Sequence, residues 1–146
     1  MSTVKRHTGV KSAGGFSLIE LLITVGVVSI LATIVYPTYI SSVYKARRLD
    51  AIASLSQTQI ILERCYSLNF SYSAACASLP AFPLTSPQGF YRTTISNLTT
   101  STYTLTAVPI GTQVNDNTCA TMTLNQANVK TGADATGTTQ TICWRQ

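Results

Sequence analysis

The sequence is poor in the groups that carry acid–base chemistry. Its 146 residues include one histidine, His7, and five acidic residues, and only 10% of the chain is charged. With no histidine after position 7, histidine-based proton transfer and histidine metal ligation are excluded for the body of the chain. Outside the apolar N-terminal run the carboxylates are Asp50, Glu63, Asp116 and Asp134, far apart in sequence. No nucleophile has an acid or base partner close by, so an enzyme is not expected. The four cysteines, Cys65, Cys76, Cys119 and Cys143, form no C-x-x-C pair and match no zinc module, so neither a metal nor another cofactor is expected. A strong basic excess is missing as well. The formal charge is +5, but Lys5, Arg6 and Lys11 lie in the first fifteen positions, and from residue 16 onward seven basic residues face five acidic ones, a net of +2. That is little for a dedicated nucleic-acid-binding domain.

What the chain has in quantity is a long apolar run. Residues 16–36 read FSLIELLITVGVVSILATIVY, with Glu20 the only charge between Lys11 and Lys45. At about 1.5 Å rise per residue this run is long enough to cross a bilayer core as a helix. A domain this small cannot easily surround such a segment, so a membrane helix is expected. The basic flank before it stays cytoplasmic, which sends everything after Pro37 to the other side of the membrane. A secretory signal would have a shorter apolar core and a small-residue cleavage site after it. Here Gly14-Gly15 stands immediately before the run, so cleavage is expected ahead of the helix, leaving it attached.

The basic leader ending in KSAGG, then Phe16, Glu20 at the fifth position after the junction, the apolar helix and Pro37 together resemble the prepilin signature of type IV pilins and type II secretion pseudopilins. The resemblance implies cleavage by a prepilin peptidase between Gly15 and Phe16 and N-methylation of Phe16. The organisation it implies is a cleaved leader at 1–15, a transmembrane and filament-core helix at 16–36 and an extracytoplasmic globular domain at 37–146. A carboxylate on an apolar helix costs a few kcal/mol or more at the bilayer centre, so Glu20 demands a shallow position or a partner. The implied partner is the N-terminal amine of a neighbouring subunit, a charge pair that sets assembly register.

Pro37 cannot donate its backbone N–H and is expected to kink the helix near Thr33. Tyr44, Ile52, Leu55, Gln59, Leu62 and Tyr66 recur at helical intervals, so the helix is expected to resume and run to about Ser67 as an amphipathic half. Beyond it the composition changes. Residues 93–146 hold sixteen threonines in alternating patterns such as 103–108 and 119–124. Strands are expected near 90–96, 102–108, 118–125 and 140–145, separated by turns at 110–113, 115–117 and 131–134, with a loop over 68–89. The expected fold is α+β: the long N-terminal helix packed on a four-stranded antiparallel sheet, the type IV pilin fold.

The cysteines allow three pairings in an oxidising compartment, and local loop closure favours Cys65–Cys76 and Cys119–Cys143. The tail from Tyr103 through Gln113, Asp116 and Cys119 to Cys143-Trp144 resembles the C-terminal part of minor type IVa pilins of Gram-negative bacteria. That resemblance implies a structural subunit, processed in the inner membrane, handled by the pilus assembly machinery and packed with other pilins into an extracellular filament. The role this implies is in pilus biogenesis, adhesion or twitching motility. Two alternatives stand beside it. One is a type II secretion pseudopilin; the other is a competence pilin that captures DNA, for which Lys45, Arg47, Arg48, Arg92, Lys130 and Arg145 are the candidate contacts. Only three of those charges cluster in sequence, which disfavours DNA. Asn115-Asp116-Asn117 has oxygen ligands of the kind calcium takes, yet reads more simply as an Asx-rich turn.

Overall fold

A computed structural model describes residues 15–73 and 78–145. Helix α1 runs from Leu18 to Asn69. It is followed by strands β1 (Leu84–Thr85), β2 (Tyr91–Ser96), β3 (Thr104–Pro109), β4 (Thr121–Asn125) and β5 (Lys130–Ala133). Two 3-10 helices, Gly111–Asn115 and Thr141–Trp144, flank the last two strands. The chain divides into two compact units at Pro37. The leader cations fall outside the described residues.

In the first unit α1 buries none of its apolar side chains: Leu18 is 75% exposed, Ile34 66% and Tyr36 67%. Its serine and threonine hydroxyls are satisfied within the helix. Thr24, Ser29 and Thr33 donate to the carbonyls of Leu21, Val25 and Ile30. Before Pro37 that leaves Glu20 and the Tyr36 phenol near the segment's end as the polar groups of the helix that call for water or a partner, as a lipid-facing or helix-facing segment requires. Pro37 lies inside the helix rather than at its end. The lost N–H costs the Thr33 carbonyl its ordinary partner, but the helix continues on both sides.

In the second unit the helix supplies Ala51, Leu55 and Leu62, the sheet supplies Tyr91, Leu105, Ala107, Met122 and Leu124, and Tyr103 just before β3 joins them, all fully buried. Each large aliphatic among them contributes about 1.5–3 kcal/mol relative to exposure. The buried stripe differs from the expected one. Arg48, Asp50, Ser54 and Thr58 are buried, whereas Tyr66 is 36% exposed and Ile52 only half-buried. Polar residues fit because each finds a partner. The Ser54 and Thr93 hydroxyls meet at 2.8 Å across the helix–sheet contact, and Thr58 donates to the Ser54 carbonyl at 2.8 Å. The Asp50 carboxylate accepts from the backbone N–H groups of Gln88 at 2.9 Å and Phe90 at 3.1 Å and from the Ser86 hydroxyl, tying the turn before β2 to the helix.

The sheet is an antiparallel meander in the order β1-β2-β3-β4-β5. Two strand expectations are corrected. Residues 140–145 form a 3-10 helix rather than a strand, and the expected turn at 131–134 is largely strand β5. After a single bridge between Ala133 and Thr139 and the Gln140 N–H bond to the Gly132 carbonyl at 2.7 Å, the C-terminal segment leaves β5 and crosses over Gly132, where an added Cβ would lie 2.6 Å from the Cys143 Cβ. Two-residue β1 lies inside the expected loop. The Cys119–Cys143 disulfide is present, with S–S 2.05 Å. The expected Cys65–Cys76 link lies outside the described residues, because residues 74–77 do.

At the other end of the helix the Glu63 carboxylate accepts from Tyr72 at 3.0 Å and from Tyr103 at 2.9 Å. Burial, reinforced by the hydrogen bond to Glu63, pushes the Tyr72 phenol up to about 12 and moves Tyr103 in the same direction.

Candidate functional site

Two contiguous open depressions, of about 220 and 320 Å³, lie between the Ser41–Arg48 stretch of α1 and the C-terminal 3-10 helix. Lys45, Arg48 and Ile142 line both. Asn115, Asp116 and Asn117 add to the smaller, and Arg145 to the larger.

The floor is a buried ion pair. Arg48 Nε and Nη2 donate to Asp116 Oδ2 and Oδ1, both at 2.7 Å, across 68 residues of sequence. The two side chains are 5% and 2% exposed. Such a bidentate pair joins charge to fixed geometry, and removing one partner strands the other charge. Gln113 completes the floor. Its Nε2 donates to the Tyr91 hydroxyl at 3.0 Å, to Asp116 Oδ2 at 3.2 Å and to the Tyr44 carbonyl at 3.2 Å. Burial is the main cause that pushes the Tyr91 phenol up to about 12, against the opposing hydrogen bond from Gln113. Sequence reasoning did not find this network, because nothing near Arg48 in the chain points to Asp116. Arg48 is accordingly corrected as a nucleic-acid contact: the guanidinium already serves Asp116.

The rim keeps its charge free. Lys45 and Arg145 are exposed and bring two cations a hundred positions apart in sequence to one groove. Arg145 owes its place to the Cys119–Cys143 bond and to Gly132, which let the 3-10 helix settle on β5. Trp144 is fixed there too, its Nε1 donating to the Thr131 carbonyl at 2.8 Å, with the Lys130 Nζ 5.5 Å from its ring centroid. Arg47 is turned elsewhere. It donates to Thr112 Oγ1 at 3.0 Å and lies 4.4 Å from the Phe90 ring centroid. Arg92 alternates with buried Tyr91 and Thr93 and is exposed on the face of the sheet away from the core. The structure thus brings Lys45, Arg48 and Arg145 together, puts Lys130 beside Trp144, and separates Arg92 from the groove. The described residues contain no cluster of His, Cys, Asp and Glu suited to a metal.

Residues 37–123 match the family model described as the type IV minor pilin ComP, DNA uptake sequence receptor. Residues 10–36 match the prokaryotic N-terminal methylation motif. The first match covers more than half of the chain and contains Lys45, Arg48 and Asp116, while Cys143, Trp144 and Arg145 lie beyond its end. Among solved structures, the non-core minor pilin PilV of Neisseria meningitidis is 19% identical, covering 67% of this chain and 94% of that one, with a TM-score of 0.53. This likeness shows the fold. A type IV pilin from Shewanella oneidensis is 30% identical, covering 60% of this chain and 89% of that one, with a TM-score of 0.45.

Proposed function

The chain belongs to the type IV minor pilin family described as the ComP DNA uptake sequence receptor, and from that premise we propose that it is a pilus subunit that captures DNA. Pilins are structural proteins rather than enzymes. The apolar helix holds the chain in the inner membrane before assembly, and the subunit then joins other pilins in an extracellular filament. Cleavage between Gly15 and Phe16 by the prepilin peptidase, with methylation of Phe16, is the processing that the methylation motif supports. Glu20, in the first turn of α1, then pairs with a neighbouring subunit's terminal amine and sets register. The globular domain beginning at Pro37 is the part that meets the ligand.

The observation that supports DNA capture is the convergence of two free cations, Lys45 and Arg145, on one groove. Phosphate neutralisation by clustered cations supplies the sequence-independent part of DNA affinity. The net charge of +2 after residue 15 understates this, because the structure gathers cations that are a hundred residues apart. Adhesion and twitching are roles drawn from resemblance alone.

The test is transformation in a deletion strain complemented with the wild-type chain or with Lys45→Ala/Arg145→Ala. Pili should form with both, and uptake should fall at least tenfold with the double variant. Unchanged uptake in the deletion strain would remove DNA capture from the account.

A further inference from the structure

The groove has features that phosphate contact along a duplex does not use. Ile142 lines both of its depressions and is 44% exposed, and Tyr44 adds an aromatic ring to the smaller one. Val114, next in sequence to the lining residue Asn115, is 56% exposed. Exposed aliphatic groups beside cations are the composition that meets a membrane surface, where headgroup charge adjoins the start of the hydrocarbon.

The charge on the rim is not answered within the chain. Every carboxylate after Pro37 is taken up by other donors. Asp50, Glu63 and Asp116 hold the partners already named. Asp134 accepts from the N–H groups of Thr136 and Thr138, both at 2.9 Å, and from the Gln140 amide at 2.8 Å. Among the described residues no carboxylate meets Lys45 or Arg145. The rim is therefore a place for anionic oxygens supplied from outside.

Chain length says which anion comes first. Lys45 follows Tyr36, the last residue of the apolar run, by nine positions of the same helix, about 13 Å of rise. The headgroup layer beyond the hydrocarbon is itself about 5–7 Å deep, and a lysine extends toward it on a flexible stem. We infer that, while the subunit waits in the inner membrane, this groove seats the headgroup of an anionic phospholipid of the periplasmic leaflet. The phosphate lies on Lys45 and Arg145, and the glycerol end lies against Ile142. A zwitterionic headgroup brings an ammonium that two cations repel, so the groove selects a net negative lipid. The inference needs only the membrane-held subunit and stands whether or not the filament captures DNA. Departure into the filament empties the groove and returns both cations to the surface.

The experiment is native mass spectrometry of the full chain in a neutral detergent supplied with equal phosphatidylglycerol and phosphatidylcholine. The ratio of the two lipids retained is read for the wild type and for Lys45→Ala, Arg145→Ala, Lys45→Arg and Arg92→Ala. Each groove alanine should lower the ratio about fivefold, the factor that one cation contributes near an anionic lipid. Lys45→Arg keeps the charge and should keep the ratio. Arg92→Ala removes an equal charge from the outer face of the sheet and should keep it too, as should excess glycerol phosphate, which has the headgroup's anion without its acyl chains. The leader's cations are common to all variants, so the differences report the groove alone. A wild-type ratio in both groove alanine variants would overturn the inference, as would an equal loss in Arg92→Ala. Displacement of the lipid by glycerol phosphate would overturn it as well, leaving a site for a free phosphate.

Discussion

Helix α1 is one element in two environments, and the contrast between its halves explains the molecule. From Leu18 to Tyr36 every large side chain except Glu20 is apolar, and all are exposed. After Pro37 the buried face carries Arg48, Asp50, Ser54 and Thr58 among its apolar residues. Among the described residues the first half buries none of its apolar side chains, as suits a segment that lipid or other pilin helices cover. The second half is covered by its own sheet. A polar group is tolerated there because a specific partner on the sheet or its loops meets it. Composition alone therefore told the wrong story about charge in the second half: the cation expected at the surface is inside, and the free cations come from both ends of the domain.

The predictions aim to break that contrast. The largest concerns assembly. Glu20→Ala should be processed normally yet fail to enter pili, as seen by immunoblotting sheared filaments, while the second unit melts at the wild-type temperature. Normal incorporation would remove the register role. Next, Asp116→Ala should destabilise the second unit by about 3–5 kcal/mol in a denaturation curve, because it leaves Arg48 buried and unpaired. Leu55→Ala should cost about 2–5 kcal/mol by opening a cavity under the sheet. Gly132→Ala should cost about 1–3 kcal/mol and displace the C-terminal 3-10 helix, since the new methyl meets Cys143.

The smallest effect is alkaline. The Tyr72 and Tyr91 phenols are raised above their unfolded value of 10 to about 12. Their contribution is complete below pH 10 and is lost as pH rises toward 12, because the folded state then holds protons that the unfolded chain releases. Tyr91→Phe should flatten that alkaline decline in a melting-temperature profile.

The first half of α1 was legible because it depends on one property, uninterrupted apolarity over a bilayer's thickness. The resemblance carried by the Gly15-Phe16 junction, Glu20 and Pro37 extended it to a family. Strands β2, β3 and β4 were legible from alternation, since residues such as Leu105 and Ala107 alternate with threonines. What escaped depended on contacts distant in sequence. Gly132 read as a turn residue, but it is a strand residue whose missing side chain makes room for Cys143. Arg48 read as one of three clustered surface cations, but Asp116 lies 68 positions away and turns it inward. Arg145 and Lys45 were candidates separately. Only the closed C-terminal loop puts them on one groove.

The central claim is that this groove binds DNA through two cations that sequence distance hides. The direct test is equilibrium binding of the full chain to a duplex over a series of salt concentrations, for the wild type and for Lys45→Ala/Arg145→Ala. The account predicts weaker binding by the double variant on every duplex, with a log K against log salt slope shallower by about two. An unchanged affinity and slope would contradict it.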